Sequence, residues 1–576
     1  MKIFRLCKPY IVNYRLRLTI YIAIALVSTA ISILSPYILG DFLDALVSGA
    51  NMSSVLRFCL VFGGLNVLRI LMSYATSILF IKMQTKMGYD LNMATIKYVQ
   101  SLSLSYINRQ DGAYLNKQIN SDAVALVIFC ITISQSIVTN AIMFIVPLVI
   151  LLAMNWFVAV LLMAFLIVYV TLYFIFKDPL FKANFAFKEA QSKFFSNLND
   201  QLKYIKLIKL NSIQPEMYKR ADKGFVGLLS ASVHSQKINY LYSGLDGFIT
   251  TLAQIALFVI GGIQILTGNF TIGMFTIFSS YFSMMIGSSR YFFNLGANYQ
   301  RVLVSYDRVA EILKQKLEHN GDLVLDDVQR IELRDVNFSY NSYVTKDDRS
   351  GSTRKILSNF SATFEKGKTY CISGENGSGK STLISLIMGM YIDEYQGSIA
   401  YNGIDIKDID MKKARRELLG VAEQETVLVN DTILYNLTFE DECLQDSISQ
   451  ALLPYTQALN MQDFITNTLD LTINDSNTNT SGGEKQKVSI LKVLLKNPTV
   501  MIFDEPTSAL DAEATDRFMN HLQRVKADKL IILITHDEIV KARCDEIIYV
   551  SRQKDHRLYA KITANRVASK PEGTVA

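Results

Sequence analysis

The chain has 576 residues, of which 50% are hydrophobic and 19% charged, with a formal net charge of +6. That length leaves room for several folding units, and the apolar excess fits a protein partly immersed in lipid. Lys and Arg are dispersed rather than banked into one basic stretch, which excludes a nucleic-acid footprint.

The first 17 residues, MKIFRLCKPYIVNYRLR, are basic, and a long apolar run follows without a small-residue cleavage site. The reading is a retained membrane helix rather than a cleaved leader. A helix crosses the hydrocarbon core with roughly 20 apolar residues. Leu18 to Gly40 is uncharged, Phe58 to Ile81 carries only Arg69, and Ala123 to Phe176 is uncharged and long enough for two crossings. Met154-Asn155-Trp156 is the polar tip that divides it, and Thr267-Gly268-Asn269 divides Gly247 to Ser289 in the same way. These runs predict helices over 18–40, 58–81, 124–152, 156–176, 247–267 and 271–290, an all-α transmembrane six-helix domain over 1–310.

Orientation follows from the basic residues, which concentrate in cytoplasmic connections. Lys2, Arg5, Lys8, Arg15 and Arg17 precede the first helix, and Lys82, Lys86, Lys97, Arg109 and Lys117 lie between the second and third. A longer series from Lys177 to Lys237 lies between the fourth and fifth, and the other connections, around Val47–Ser54, Asn155 and Asn269, have none. Both termini are therefore expected in the cytoplasm, in a cell membrane. The two basic connections run to roughly 40 and 70 residues, long enough to be helices that leave the bilayer. Arg69, inside the second run, lines a cavity, snorkels to the interface, or pairs with Asp41 or Asp44. Six cysteines with no CxxC spacing read as reduced, mostly buried thiols.

After a linker over 311–328, the pattern changes to short apolar runs separated by turns. Thr369–Ser373, Val500–Phe503, Leu530–Thr535 and Glu546–Val550 read as buried parallel strands of an α/β domain over 329–576. Directly after the first comes Gly374-Glu375-Asn376-Gly377-Ser378-Gly379-Lys380-Ser381-Thr382, which fits G-x-x-x-x-G-K-[ST] between a strand and a helix. The glycines let backbone N–H groups converge on phosphate oxygens at a helix N-terminus. Lys380 would reach the β- and γ-phosphates of ATP, and the Ser381 hydroxyl would ligate Mg²⁺. Val500 to Glu505 is an apolar strand ending in two carboxylates: Asp504 is placed to hold Mg²⁺ and Glu505 to polarise the attacking water.

Between these motifs stands Thr480-Ser481-Gly482-Gly483-Glu484-Lys485-Gln486. Here the chain resembles the ATP-binding cassette (ABC) transporters, whose signature usually reads LSGGQ; the resemblance covers nearly the whole chain. It implies that Tyr340 stacks on adenine and that Gln424 senses the γ-phosphate and Mg²⁺. It further implies that Ser481, Gly482 and Gly483 bind the γ-phosphate held by an opposite subunit, that Asp511 lies in the D-loop, and that His536 contacts the γ-phosphate. Thr480 and Glu484 depart from the family's Leu and Gln, and Asp475 stands where a coupling glutamate is usual. The polar stretch Asn341 to Arg354 reads as a surface loop.

The membrane half resembles exporters with six helices per subunit, with coupling regions at Gly112 with Asn116–Asp122 and at Tyr204–Asn211. One cassette per chain implies a dimer; a homodimer is expected, a heterodimer the alternative. The resemblance implies alternating access driven by ATP. Export of a peptide leads, and multidrug or lipid export is the alternative. Siderophore import by an exporter-shaped fold and an ATP-gated regulator stand further back: the chain lacks a siderophore-interaction domain, and Glu505 and His536 are intact. The chain starts about 17 residues before its first helix, without an N-terminal cysteine-peptidase domain, so a peptide cargo is expected to be matured elsewhere.

Overall fold

In the computed structural model the chain is described apart from residues 1, 111, 342–352, 376, 441–444, 459–468, 470–471, 474–481, 553–557 and 565–576. It forms two compact units: Met1–Tyr98 with Gly112–Lys314, and Val99–Asp111 with Gln315–Ala576.

The first unit is helical: α1 (Lys2–Asn13), α2 (Arg15–Val47), α3 (Met52–Gln100, whose last turn enters the second unit), α5 (Gly112–Lys117), α6 (Ala123–Met154), α7 (Trp156–Lys203), α8 (Ile205–Leu210), α9 (Gln214–Leu266) and α10 (Ile272–Ile312). A short α4 (Leu104–Asn108) belongs to the second unit. Among the described residues, five helical segments, Arg15–Val47, Met52–Gln100, Ile119–Met154, Trp156–Lys203 and Gln214–Leu266, are long and apolar enough to cross a membrane. The crossing expected over 271–290 falls in α10, where Ser279, Ser280, Ser283, Ser288, Ser289 and Tyr281 dilute the apolar run. α10 packs on α2 and α6; Tyr281 donates to the Ile33 carbonyl at 2.8 Å, and the Ser283 and Ser289 hydroxyls donate to carbonyls one turn back in α10.

The expected hairpin tips are built by side-chain caps. The Asn155 side chain accepts from the Val158 N–H at 3.2 Å, starting α7. Thr271 caps α10 through the Met274 N–H. Asp44 accepts from the Thr271 hydroxyl at 2.6 Å and from the Gly273 N–H at 2.7 Å, tying α2 to the first turn of α10. Only glycine fits there, since a Cβ on Gly273 would sit 2.0 Å from the Gly40 carbonyl oxygen. With Asp44 engaged in this way, Arg69 forms no ion pair among the described residues.

α7 and α9 run 48 and 53 residues. At 1.5 Å per residue each is more than twice as long as the ~30 Å of hydrocarbon. They pack chiefly on each other and carry α8 between them.

The segment expected as a first coupling region behaves differently. Residues 118–122 form a π-helical turn leading into α6. Asp122 is held there by the Ser305 hydroxyl at 2.8 Å and Arg308 at 3.5 Å. The preceding stretch, Val99–Asp111, is the one that joins the nucleotide-binding unit. The Glu318 N–H donates to the Ser101 carbonyl at 2.7 Å, Leu102 bridges Leu317, and Asn108 donates to the Tyr391 hydroxyl at 3.4 Å.

The second unit is α/β. Strands β1 (Arg330–Asn341), β2 (Thr353–Glu365), β4 (Gln396–Tyr401) and β5 (Ile404–Asp405) form an antiparallel sheet in the order β2-β1-β4-β5. Strands β3 (Thr369–Ser373), β6 (Leu419–Ala422), β7 (Val500–Asp504), β8 (Leu530–Ile534), β9 (Glu546–Arg552) and β10 (Leu558–Ala564) form a sheet ordered β10-β9-β3-β8-β7-β6. All its neighbours are parallel except β10 with β9. β3, β7 and β8 are buried throughout, as their unbroken apolar runs require. The helices are α11 (Lys380–Ile387), α12 (Met411–Glu417), α13 (Ile433–Thr438), α14 (Gln445–Ala458), α15 (Gly482–Lys496), α16 (Ala512–Val525) and α17 (Glu538–Ala542).

Candidate nucleotide site

Three adjacent buried strands, β3, β7 and β8, end at the same edge of the parallel sheet, where ligands of such sheets bind. The loop after β3 turns into α11 through Gly377 (φ +74°) and Gly379 (φ +93°), left-handed positions that favour glycine. Gly374 also has no room for a side chain: a Cβ would lie 2.1 Å from the Val550 carbonyl oxygen. The first N–H groups of α11 therefore converge on the concave side of the loop.

Lys380, the first residue of α11, is buried. Its ammonium donates to the Gly374 and Glu375 carbonyls at 2.7 and 3.1 Å and stands 3.3 Å from His536 Nε2. Burial pushes its pKa down, against the opposing pull of Glu505 and Asp504. The Ser378 hydroxyl is buried with no partner among the described residues. An orphaned hydroxyl and a lysine folded onto loop carbonyls fit a phosphate chain as the missing acceptor.

At the end of β7, Asp504 is buried and accepts from the Ser381 hydroxyl at 3.3 Å. Burial raises its pKa, partly offset by Ser381. Glu505 adopts φ +50°, a conformation few non-glycine residues take. Its carboxylate accepts from Gln424 Nε2 at 2.6 Å and lies 3.8 Å from His536 Nε2. Its N–H donates to the Ile534 carbonyl at 2.8 Å, pinning the turn to β8. Ser381, Asp504 and Gln424 together offer a hydroxyl, a carboxylate and an amide oxygen, the donor set a hard divalent cation such as Mg²⁺ takes.

Tyr340, on β1, places its hydroxyl 3.2 Å from Thr382 Oγ1 at the start of α11. Its ring stands edge-on to Phe338 and Tyr391 and stays 38% exposed. Gly482 and Gly483 open α15, with Gly482 exposed. The Asp511 carboxylate accepts from the Ala514 N–H at 2.7 Å and caps α16. Asn376 and Ser481 lie outside the described residues, as do Asp475 and Thr480.

Two participants escaped the sequence reading. Gln486, buried on α15, donates to the Glu505 carbonyl at 2.8 Å and accepts from the Ser508 hydroxyl at 2.8 Å. It ties the signature helix to the turn that carries Glu505. Its signal was a polar residue on an otherwise apolar helix face, five positions after Ser481. Tyr391, from which the ring of Tyr340 is 5.7 Å away, is the other; a tyrosine after an apolar helix carried no such signal.

The comparisons with known proteins agree with this geometry. Residues 18–289 match the family model described as the ABC transporter transmembrane region, and residues 357–508 match that described as ABC transporter. The chain is 25% identical over 548 residues to the lactococcin-G-processing and transport ATP-binding protein LagD of Lactococcus lactis subsp. lactis, covering 91% of this chain and 73% of that one. It is 24% identical to an ATP-dependent lipid A-core flippase of Desulfotalea psychrophila over 94% of both chains. The fold matches the structure of a bacterial Atm1-family ABC exporter with ATP bound, at a TM-score of 0.79 and 21% identity, over 96% of this chain and 95% of that one. With both regions of one family joined in a single chain around an intact phosphate loop, this protein belongs to the ABC transporters: an exporter-type membrane region fused to an ATP-hydrolysing domain.

Proposed function

We propose that the protein exports peptides by alternating access as a homodimer, with its ATPase domain and both termini in the cytoplasm. The observation that supports the site assignment is the convergence of Lys380, Gln424, Asp504, Glu505 and His536 on one sheet edge. In this reading Glu505, aligned by Gln424, takes the proton of the attacking water. Lys380 exchanges loop carbonyls for β- and γ-phosphate oxygens, His536 meets the γ-phosphate, and Tyr340 stacks on adenine. Ser381, Asp504 and Gln424 would hold Mg²⁺, which when bound neutralises phosphate charge. Ser481, Gly482 and Gly483 serve the nucleotide of the opposite subunit.

A partner copy is favoured by the end of the α7–α9 arm. There Leu207 and Leu210 are 55% and 75% exposed, an apolar tip beyond the membrane runs. ATP favours the outward state by binding the closed dimer better than the open one. Peptide cargo rests on the relative named for lactococcin G processing and transport. The lipid A-core flippase relative, matched over 94% of both chains, carries lipid as the second reading.

The test is ATP turnover and cargo uptake in inside-out vesicles, wild type against Glu505→Gln. Turnover is expected to fall at least about 100-fold in the variant, with peptide uptake lost alongside it. Turnover surviving the substitution would remove Glu505 as the base, and ATP-dependent uptake of lipid without peptide would replace the cargo assignment.

A further inference from the structure

An ion pair in the helical unit has no part in the nucleotide chemistry. Asp246 on α9 precedes the apolar run of that helix, and Arg290 on α10 follows the apolar run of its own. The Arg290 guanidinium donates to Asp246 Oδ2 at 2.6 Å, with 45% of its side chain exposed. The other carboxylate oxygen, Asp246 Oδ1, is buried and has no partner among the described residues. Tyr169 on α7, itself buried, contacts both Arg290 and Tyr242.

A half-satisfied carboxylate at this depth is costly, because an unpaired buried acceptor forfeits its hydration without recompense. A half-exposed arginine at the end of an apolar run keeps its head group in a polar setting that a polar ligand can also reach. Tyr169 also lines a narrow gap of about 10 Å³ between the same three helices, together with Phe165, Ile249, Thr250, Phe282 and Ile286, and that gap has to widen before it can take a side chain. The site thus presents one unused acceptor, the free edge of a five-donor guanidinium and an adjoining apolar gap, with no net charge.

Resting on the reading of the chain as a peptide exporter, we propose that Asp246, Arg290 and Tyr169 form a cargo subsite for a peptide backbone amide. The amide N–H pairs with Asp246 Oδ1, its carbonyl takes the free edge of Arg290, and an apolar side chain enters the widened gap. Loading requires α10 to move off α9, since Oδ1 is closed in the conformation described. A phosphorylated lipid headgroup is disfavoured, because its phosphate charge meets the carboxylate of Asp246. A simple hydrophobic cation would satisfy Asp246 and leave Arg290 opposed.

The experiment uses the full chain in phosphatidylcholine vesicles. ATP turnover is titrated with the blocked tripeptide N-acetyl-Leu-Phe-Leu-amide, a bisphosphorylated lipid A analogue and tetraphenylphosphonium. The double variant Asp246→Asn with Arg290→Gln is compared with wild type, each against its own peptide-free turnover. The half-saturating peptide concentration is expected to rise about tenfold, or about 1.4 kcal/mol. Peptide stimulation equal in wild type and variant would overturn the subsite and leave the peptide reading standing. A wild type deaf to peptide but stimulated by the lipid or the cation would overturn both. Should the variant fail to fold, photolabelling of wild type with the peptide carrying benzoylphenylalanine decides. Adducts on Ile249–Ala253 or Phe282–Ile286 support the site, and adducts confined elsewhere reject it.

Discussion

Asp504 and Glu505 are neighbours in sequence with opposite surroundings. Asp504 closes the buried strand β7 and its pKa is pushed up, whereas Glu505 turns out of the sheet at φ +50° between Gln424 and His536. A carboxyl that ionises more readily in the unfolded chain costs stability once the pH exceeds the ordinary carboxylate range, and costs nothing below it. Near neutral pH, Asp504→Asn should therefore raise the melting temperature of the nucleotide-free protein by a few degrees, about 1 kcal/mol, while abolishing Mg²⁺-dependent turnover. Calorimetry alongside an ATPase assay checks it; a lower melting temperature would show that the Ser381 hydrogen bond outweighs burial. The two carboxylates were legible because an apolar strand can end in charge only at the sheet edge. The Gln486–Ser508–Glu505 link was not, because it joins residues from two elements that only packing brings together.

At the scale of elements, the apolar runs foretold the helices but not their lengths. α7 continues from the apolar run through Lys177 and Pro179 to Lys203, since its later residues keep helix-forming character and pair with α9. Nor was the contact of α2 with α10 visible, which depends on two glycines more than 230 residues apart. Gly273→Val should loosen it: the added carbons overlap the Gly40 carbonyl and the Asp44 carboxylate. Overpacking of this kind costs about 1–3 kcal/mol. The expected result is faster thermal loss of basal ATPase activity in detergent, with turnover at low temperature retained. Gly287→Ala on the same helix, where a Cβ meets nothing, should behave as wild type.

For the whole molecule, the least economical surface is the α8 tip, with Ile205, Leu207 and Leu210 all exposed. Exposed apolar residues at the end of a long helical arm gain little for a lone chain. Leu207→Asp with Leu210→Asp is expected to leave the fold intact, since changes at exposed sites usually stay within about 0.5 kcal/mol. Peptide-stimulated turnover should fall by about tenfold or more while basal turnover persists. Equal stimulation in the variant would show that the tip takes no part in coupling.

Local chemistry determined a good part of this protein. Apolar run length demands a membrane, the Gly-rich loop between strand and helix demands phosphate, and the signature marks the family. Each is written within a few dozen contiguous residues, because the constraint itself is local: a span must reach across lipid, and a loop must curl around an oxygen. Tertiary structure decided the rest. It sent Val99–Asp111 to the nucleotide-binding unit and held Asp122 on α10. It set Lys380 against His536, and beside Arg290 it left one oxygen of Asp246 without a donor among the described residues. Those outcomes depend on which distant side chains meet after packing, and no periodicity or motif along the chain carries that information.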